Sequence, residues 1–409
     1  MTNTAGRARS FPDGFLWGAA TAAHQIEGGN WNSDWWEWEH DPESPAVESS
    51  GDACDSWHRY EDDVRIVADL GLGSYRFSIE WARIEPEEGE FSGAALDHYR
   101  RVCAACQEHG LLPVVTFNHF TLPRWIADGG GWANSAVRDR FARYCERSVG
   151  ALGDLIGAAC TINEPNVVAT LGYALGFFPP GRQDFGEYGR VQDNLVACHR
   201  SAVDILRAGP GDFPVGICVA MSDWTAPQGM DDLAARVRAG YEGTYLEAAR
   251  GDDFVGVQAY QRIIIDETGM PQDPPPDGNI LPMGYEWWPQ SLGIAVRYAA
   301  EVAQVPVWVT ENGIGTDNDE QRVQFLTESL DGLLDCIDEG IDVRAYFQWS
   351  LLDNFEWNHG YAARFGIVEV DRTTFERRPK PSAHWFGEVA RTNSLSRQVA
   401  RSATGGDTG

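Results

Sequence analysis

The sequence predicts a single α/β domain in which eight parallel strands close into a barrel with helices around it, the (β/α)8 or TIM barrel. Three observations carry this. Short β-rich runs alternate with amphipathic helical runs along the chain. There are eight such runs, and their starts are spaced by roughly 47 residues. Each run is apolar nearly throughout, as a strand is when helices cover one face and a packed interior the other. A doubly wound open sheet is the competing arrangement. It would carry a Gly-rich phosphate turn after an early strand, and neither G-x-G-x-x-G nor G-x-x-x-x-G-K-[ST] occurs.

The runs, in order, are GFLWGAATA (14–22), SYRFSIEW (74–81), LLPVVTFN (111–118), GAACTIN (157–163), FPVGICVA (213–220), FVGVQAY (254–260), VPVWVTEN (305–312) and DVRAYFQWS (342–350). Among the helical stretches, EDDVRIVADLG places Val64, Val67 and Leu70 on one face and meets a stop at Gly71. RDRFARYCERSVGALG and EQRVQFLTESLDGLLDCIDEG follow the same period. DPESPAVESSGD (41–52) is expected as a loop after the first strand, and MPQDPPPDGNILP (270–282) as a long loop after the sixth. No linker splits the chain. The barrel is expected over 1–390, with 391–409 a disordered tail.

Composition narrows the function. Of 409 residues, 43% are hydrophobic and 23% charged, so the chain has the means to bury a large core. The net charge of −29 would repel phosphate backbones and anionic membranes, which argues against nucleic-acid and membrane-surface partners. No stretch approaches the ~20 apolar residues of a membrane span. The N-terminal MTNTAGRARSFPDGF lacks the apolar core of a secretory signal. The eight scattered cysteines suit reduced thiols and a cytoplasmic location. Cys103 and Cys106 form one C-x-x-C inside a helical run, a pattern too weak for zinc or redox work. The 16 tryptophans cluster at 31, 35, 36 and 38, at 287 and 288, and at 349 and 357. Core packing or stacking on sugar rings would each explain them. For the first cluster, lining or supporting a cleft and plain packing are expected in about equal measure.

Barrel enzymes take their catalytic groups from the C-terminal ends of the strands. Here the fourth strand ends in Asn163 and Glu164, the seventh in Glu311, and the third in Asn118 and His119. The first leads to Gln25 and Glu27, and the eighth to Trp349, Asp353, Glu356 and Trp357. Strands four and seven lie nearly opposite in a ring of eight. Two carboxylates facing across a cleft, with amide, imidazole and indole groups around them, are the equipment of glycoside hydrolysis. One Glu after one strand would be more simply a salt-bridged surface residue; the combination is what points to catalysis. There is no H-E-x-x-H, no metal-ligand cluster among the nine histidines and no G-x-S-x-G; where acid/base and nucleophile are both carboxylates, no metal or cofactor is called for.

Five segments in order then resemble glycoside hydrolase family 1, the β-glucosidase family: FPDGFLWGAATAAHQIEG, YRFSIEWARIEP, TFNHFTLPRW, TINEP with VTENG, and WSLLDNFEWNHGYAARFGIVEVD. The resemblance runs from about residue 11 to 390. It implies a retaining double displacement with Glu164 as general acid/base and Glu311 as nucleophile, their carboxylates about 5–5.5 Å apart. It implies that Arg76 pairs with the nucleophile, that Tyr260 contacts it, and that Asn163 holds the sugar 2-hydroxyl. Gln25, His119, Gln258, Trp349, Glu356 and Trp357 fall on glycone-binding positions. Glu356 stands where members acting on 6-phosphosugars have a small neutral residue, and Lys380 is the only lysine, so an unphosphorylated glycoside is implied. Two positions depart from the pattern: Gln258 stands where Asn is usual, and Phe120 where Trp is common.

The expected function is an exo-acting β-glycosidase, foremost a β-glucosidase with β-galactosidase or β-fucosidase activity, acting on a small β-glycoside or an oligosaccharide. The alternatives are a non-catalytic sugar-binding protein on the same fold, and a glycosidase devoted to transglycosylation or a special aglycone. The sequence does not speak to oligomeric state.

Overall fold

The computed structural model describes residues 8–396. Eight strands form a closed parallel barrel: β1 (Leu16–Ala20), β2 (Ser74–Ser78), β3 (Leu112–Asn118), β4 (Ala158–Asn163), β5 (Val215–Thr225), β6 (Phe254–Ile265), β7 (Val307–Asn312) and β8 (Val343–Trp349). Each strand pairs with its sequence neighbours, and β8 returns to β1 with Ala345 opposite Leu16 and Trp349 opposite Ala20. All eight runs read from the sequence are strands. The fifth and sixth run past their expected ends, to Thr225 and Ile265, and stay paired there. The loop after the sixth is not wholly irregular: Pro271–Gln272 adds a short antiparallel strand to β6.

The outer helices are α1 (Ser56–Asp69), α2 (Gly93–Glu108), α3 (Val137–Leu152), α4 (Phe185–Ala208), the helical run α5 (231–248), α6 (Ser291–Ala303), α7 (Asp319–Asp338) and α8 (Pro381–Thr392). Helix α1 buries Val64 and Val67 against the barrel, and Gly71 follows its C-cap with φ +81°. That left-handed turn suits a residue without a Cβ. Cys103 and Cys106 lie in the buried face of α2, and burial pushes the Cys103 thiol up to about 12. Such thiols are inert packing groups. All eight cysteines are buried and unbridged.

Two cores result. The larger lies between strands and helices; the smaller fills the barrel with Val114, Cys160, Cys218, Phe254, Trp308 and Phe347 among others. Space inside is tight. A Cβ on Gly18 would sit 2.5 Å from the Phe347 ring and from Ser74 Oγ. The expected tail begins too early. Residues Arg391 and Thr392 finish α8, and Ser394–Leu395 pair with Arg9–Ser10. Asn393 Nδ2 also donates to the Phe11 and Pro12 carbonyls. This clamp seals the N-terminal aromatic cluster of Phe11, Phe15 and Trp17, apolar surface that a fraying tail would expose. Residues 397–409 lie outside the described residues. No helix among the described residues is long and apolar enough to cross a membrane.

Candidate active site

At the C-terminal ends of the strands a pocket of about 160 Å³ opens. Glu164 and Glu311 both line it, with His119, Tyr260, Trp349, Glu356 and Trp357. Strand β7 carries Glu311 as its penultimate residue. Arg76, from β2, donates from Nη1 to Glu311 Oε1 at 2.6 Å, and the Tyr260 hydroxyl donates to Oε2 at 2.6 Å. Both carboxylate oxygens are therefore held, one by a charge. Burial raises the Glu311 pKa, and Arg76 and Tyr260 oppose it.

Glu164 follows β4 with φ +44°, a left-handed turn that ends the strand and opens the short helix Pro165–Ala169. Its backbone N–H donates to the Cys218 carbonyl at 2.8 Å. Its pKa lies well above the usual carboxylate range, because of burial and then the charge of Glu311. Arg76 acts on it only through space and does not cancel these. Both carboxyls are raised, and of the two Glu164 holds its proton the more strongly.

One layer down, a hydrogen-bonded chain fixes the pocket floor. Asn163 Oδ1 accepts from Arg76 Nη2 at 2.6 Å and from Gln258 Nε2 at 2.8 Å. With its oxygen so occupied, Asn163 Nδ2 is the donor toward His119 Nε2 at 3.2 Å. The His119 proton then sits on Nδ1, which is buried without a partner among the described residues. Burial and Arg76 hold His119 neutral, well below its usual pKa. Gln258, one methylene longer than the usual Asn, still reaches Asn163. Gln25 donates to the Phe355 carbonyl at 2.8 Å and to Glu356 Oε2 at 3.2 Å. Burial and Glu311 push Glu356 up to about 8. The indole of Trp349 stacks on His119 at 5.7 Å, and Trp357 lies between His119 and His24.

Three strand-end residues do other work. Glu27 pairs with Arg83 at 2.8 Å, Asp353 with Lys380 at 2.8 Å, and Asn118 donates to the Thr121 carbonyl. None of the tryptophans at 31, 35, 36 and 38 lines the pocket. Trp35 supports it from behind, 4.5 Å from Trp357.

The model of glycosyl hydrolase family 1 matches residues 7–248 and 252–395. The chain belongs to that family. It is a glycoside hydrolase, built as a TIM barrel. Similar proteins include beta-glucosidase A of Acetivibrio thermocellus, 34% identical over 94% of this chain and 99% of that protein. Beta-glucosidase A of Thermotoga maritima is also 34% identical, over 95% and 99%. Among solved structures, a beta-glycosidase from Pyrococcus horikoshii superposes with a TM-score of 0.91 at 32% identity, covering 97% of this chain and 98% of that one. The beta-glucosidase from Thermotoga maritima in complex with deoxynojirimycin gives 0.88 at 32%, covering 94% and 99%.

In this family 1 chain the rest of the pocket wall is Phe120, Val167, Phe178, Gln261, Met283, Tyr285 and Phe365. Sequence reading named only Phe120 among them. Phe120, at φ +71°, packs on Trp357 at 4.9 Å. Met283 and Tyr285 come from the loop after β6. That loop is pinned by Arg262, which donates from Nε to Glu286 Oε2 at 2.8 Å and lies 3.9 Å from the Trp288 ring. The Trp288 indole N–H reaches Asp223 at 2.8 Å. The paired tryptophans at 287 and 288 were the one signal in the sequence that this loop is ordered.

Proposed function

We propose that this glycoside hydrolase is a retaining, exo-acting β-glycosidase, foremost a β-glucosidase, with Glu311 as nucleophile and Glu164 as general acid/base. The asymmetry between the two glutamates carries the reading. Glu311 is gripped at both oxygens by Arg76 and Tyr260. Glu164 faces the same pocket buried, under the field of Glu311, and holds its proton.

In the first step the Glu311 carboxylate attacks the anomeric carbon while Glu164 passes its proton to the glycosidic oxygen, and the bond to the aglycone breaks. The glycosyl ester consumes the charge of Glu311. The largest electrostatic reason for Glu164 to stay protonated then disappears, and its carboxylate takes a proton from water as that water attacks the same carbon and the ester bond breaks, which returns Glu311 as a carboxylate. Two inversions give net retention. Asn163 and the Nδ1–H of His119 supply donors to the sugar hydroxyls, Trp349 supplies a flat face, and Glu356 with Gln25 serves the far hydroxyls. No lysine or arginine lines the pocket among the described residues, so a phosphate there would find no counter-charge. This supports a neutral glycone. Eight free, buried thiols fit a cytoplasmic location.

The test is initial rates on nitrophenyl β-glucoside, galactoside, fucoside and 6-phosphoglucoside, with Glu311→Ala beside the wild type. Turnover of the neutral glycosides that vanishes in the variant is expected. A wild type inert on all four, or a variant that keeps its rate, overturns the assignment.

A further inference from the structure

A second cavity, of about 230 Å³, lies away from the catalytic pocket. It sits between the loop that follows β1 and the segment that joins β2 to α2. Trp31, Asn30, Asn32, Trp57, Arg83 and Ser92 line it with a few alanines, glycine and proline. We propose that this cavity is a second binding site for a neutral saccharide, with Trp31 as its stacking platform.

Four observations support the site. Trp31 is 63% exposed, a large apolar indole left in water at the cavity wall while Trp35, Trp81 and Trp132 are fully buried. Indole faces take the C–H face of a pyranose ring, gaining apolar contact without desolvating the sugar hydroxyls. Next to it, Asn30 is 3% exposed, and its Oδ1 is buried without a hydrogen-bond partner among the described residues. A buried, unsatisfied carbonyl costs stability until a donor reaches it, and a sugar hydroxyl becomes that donor when the Asn30 side chain turns toward the cavity. Asn32 holds the Ala82 and Pro86 carbonyls through Nδ2, which leaves its Oδ1 as a further acceptor. Finally, the charge of the cavity is already neutralised. Arg83 pairs with Glu27 at 2.8 Å and stacks on Trp57 at 4.4 Å, and among the described residues no other charged side chain lines the space. Aromatic face, amides and hydroxyl without net charge suit a neutral polyhydroxylated ligand, and a chain of net charge −29 disfavours an anionic one.

The cavity also has a path to catalysis. Asn30 Nδ2 contacts His24 Nδ1 at 3.1 Å, and the His24 ring stacks on Trp357 with 3° between the planes. A ligand that shifts Asn30 would press on the indole that faces the catalytic pocket.

The choice of a saccharide rests on the proposed glycosidase reading, and the experiment separates the two. The enzyme is first labelled at the nucleophile with a 2-deoxy-2-fluoro-β-glucoside bearing a dinitrophenyl leaving group, read as a mass increase on Glu311. Failure to label counts against the glycosidase mechanism alone, and the next step is then run on unlabelled protein. Cellobiose is titrated into the protein by calorimetry and by tryptophan fluorescence. Binding that persists in the labelled enzyme, weakens at least tenfold in Trp31→Ala and is kept in Trp31→Phe is expected. The kcat/KM of Trp31→Ala on nitrophenyl glucoside should stay within about twofold of wild type, since Trp31 is outside the catalytic pocket. No binding to the labelled enzyme, or equal binding by Trp31→Ala, overturns the proposal.

Discussion

Asn166 offers the sharpest test of how Glu164, the proposed acid/base, is aimed. Its carboxamide bridges to Ala220 on β5: Nδ2 donates to the Ala220 carbonyl at 2.7 Å, and Oδ1 accepts the Ala220 N–H at 3.2 Å. The bridge stands two residues after Glu164, whose left-handed φ of +44° has to be held by its surroundings. Asn166→Ala removes two hydrogen bonds worth about 1 kcal/mol each and leaves a partly buried N–H and C=O to find water. A stability loss of about 1–3 kcal/mol follows. The larger effect is on aim. A shift of the proton donor by about 1 Å costs up to ~100-fold in rate. That loss appears only where the leaving group needs a proton. The assay is kcat/KM over aryl β-glucosides from dinitrophenyl to phenyl. Rates on the dinitrophenyl substrate should hold, and those on the phenyl substrate should fall about 10- to 100-fold. Asn166→Asp keeps the acceptor for Ala220 N–H and should fall between. A uniform loss across the series would refute the reasoning, because it would mean general collapse of the pocket. No loss at all would show that the Glu164 N–H bond to Cys218 holds the turn unaided.

Other perturbations reach different parts of the site. Arg76→Met strips Glu311 of its counter-charge; stability should drop by about 3–5 kcal/mol, as when one partner of a buried pair is removed, and the acid limb of the kcat/KM profile should move to higher pH. Thermal melts and a pH–rate series read both. Asp34, pushed up to about 8 by burial, is protonated in the folded state and ionised in the unfolded chain above about pH 4. Its contribution is therefore fully present below the unfolded value and lost as pH rises towards 8. Asp34→Asn keeps the Oδ1 acceptor for the Leu122 and Trp35 N–H groups, so the variant should match wild type in melting temperature at pH 4 and exceed it at pH 9; a lower value at pH 9 would contradict this. Gly313→Ala places a Cβ 2.0 Å from the Trp349 carbonyl. It should displace β7 against β8 just past Glu311 and lower kcat/KM at least tenfold on every glucoside alike, unlike Asn166→Ala.

The barrel was legible because its signal is local. A strand covered on both faces is apolar along its length, and a helix stop such as Gly71 is one residue with one reason. The tail was misread for the opposite cause. RTNSL carries no strong period, and its pairing with Arg9–Ser10 joins residues more than 380 apart, which no window of sequence sees. The pocket divides the same way. Residues at strand ends could be named from position, yet Glu27 and Asp353 share that position and are held in ion pairs with Arg83 and Lys380. The apolar wall of Val167, Phe178, Met283 and Phe365 has no pattern at all, since its members are scattered over the connections that follow β4, β6 and β8.

The two glutamates make the point most fully. Glu164 and Glu311 are the same residue type on the same kind of strand end, and both are buried against one pocket. Nothing adjacent to either sets its charge. What separates them is Arg76, 235 positions before Glu311, together with a tyrosine from β6. Arg76 also holds Asn163, the residue just before Glu164, through its second nitrogen. One guanidinium therefore holds the Glu311 carboxylate with Nη1 and, through Asn163, steadies the backbone next to Glu164 with Nη2. Lysine could not replace it, having a point charge and no planar fork to span both partners. Division of labour between two chemically identical groups is thus a property of the closed ring, because only closure brings β2 between β4 and β7.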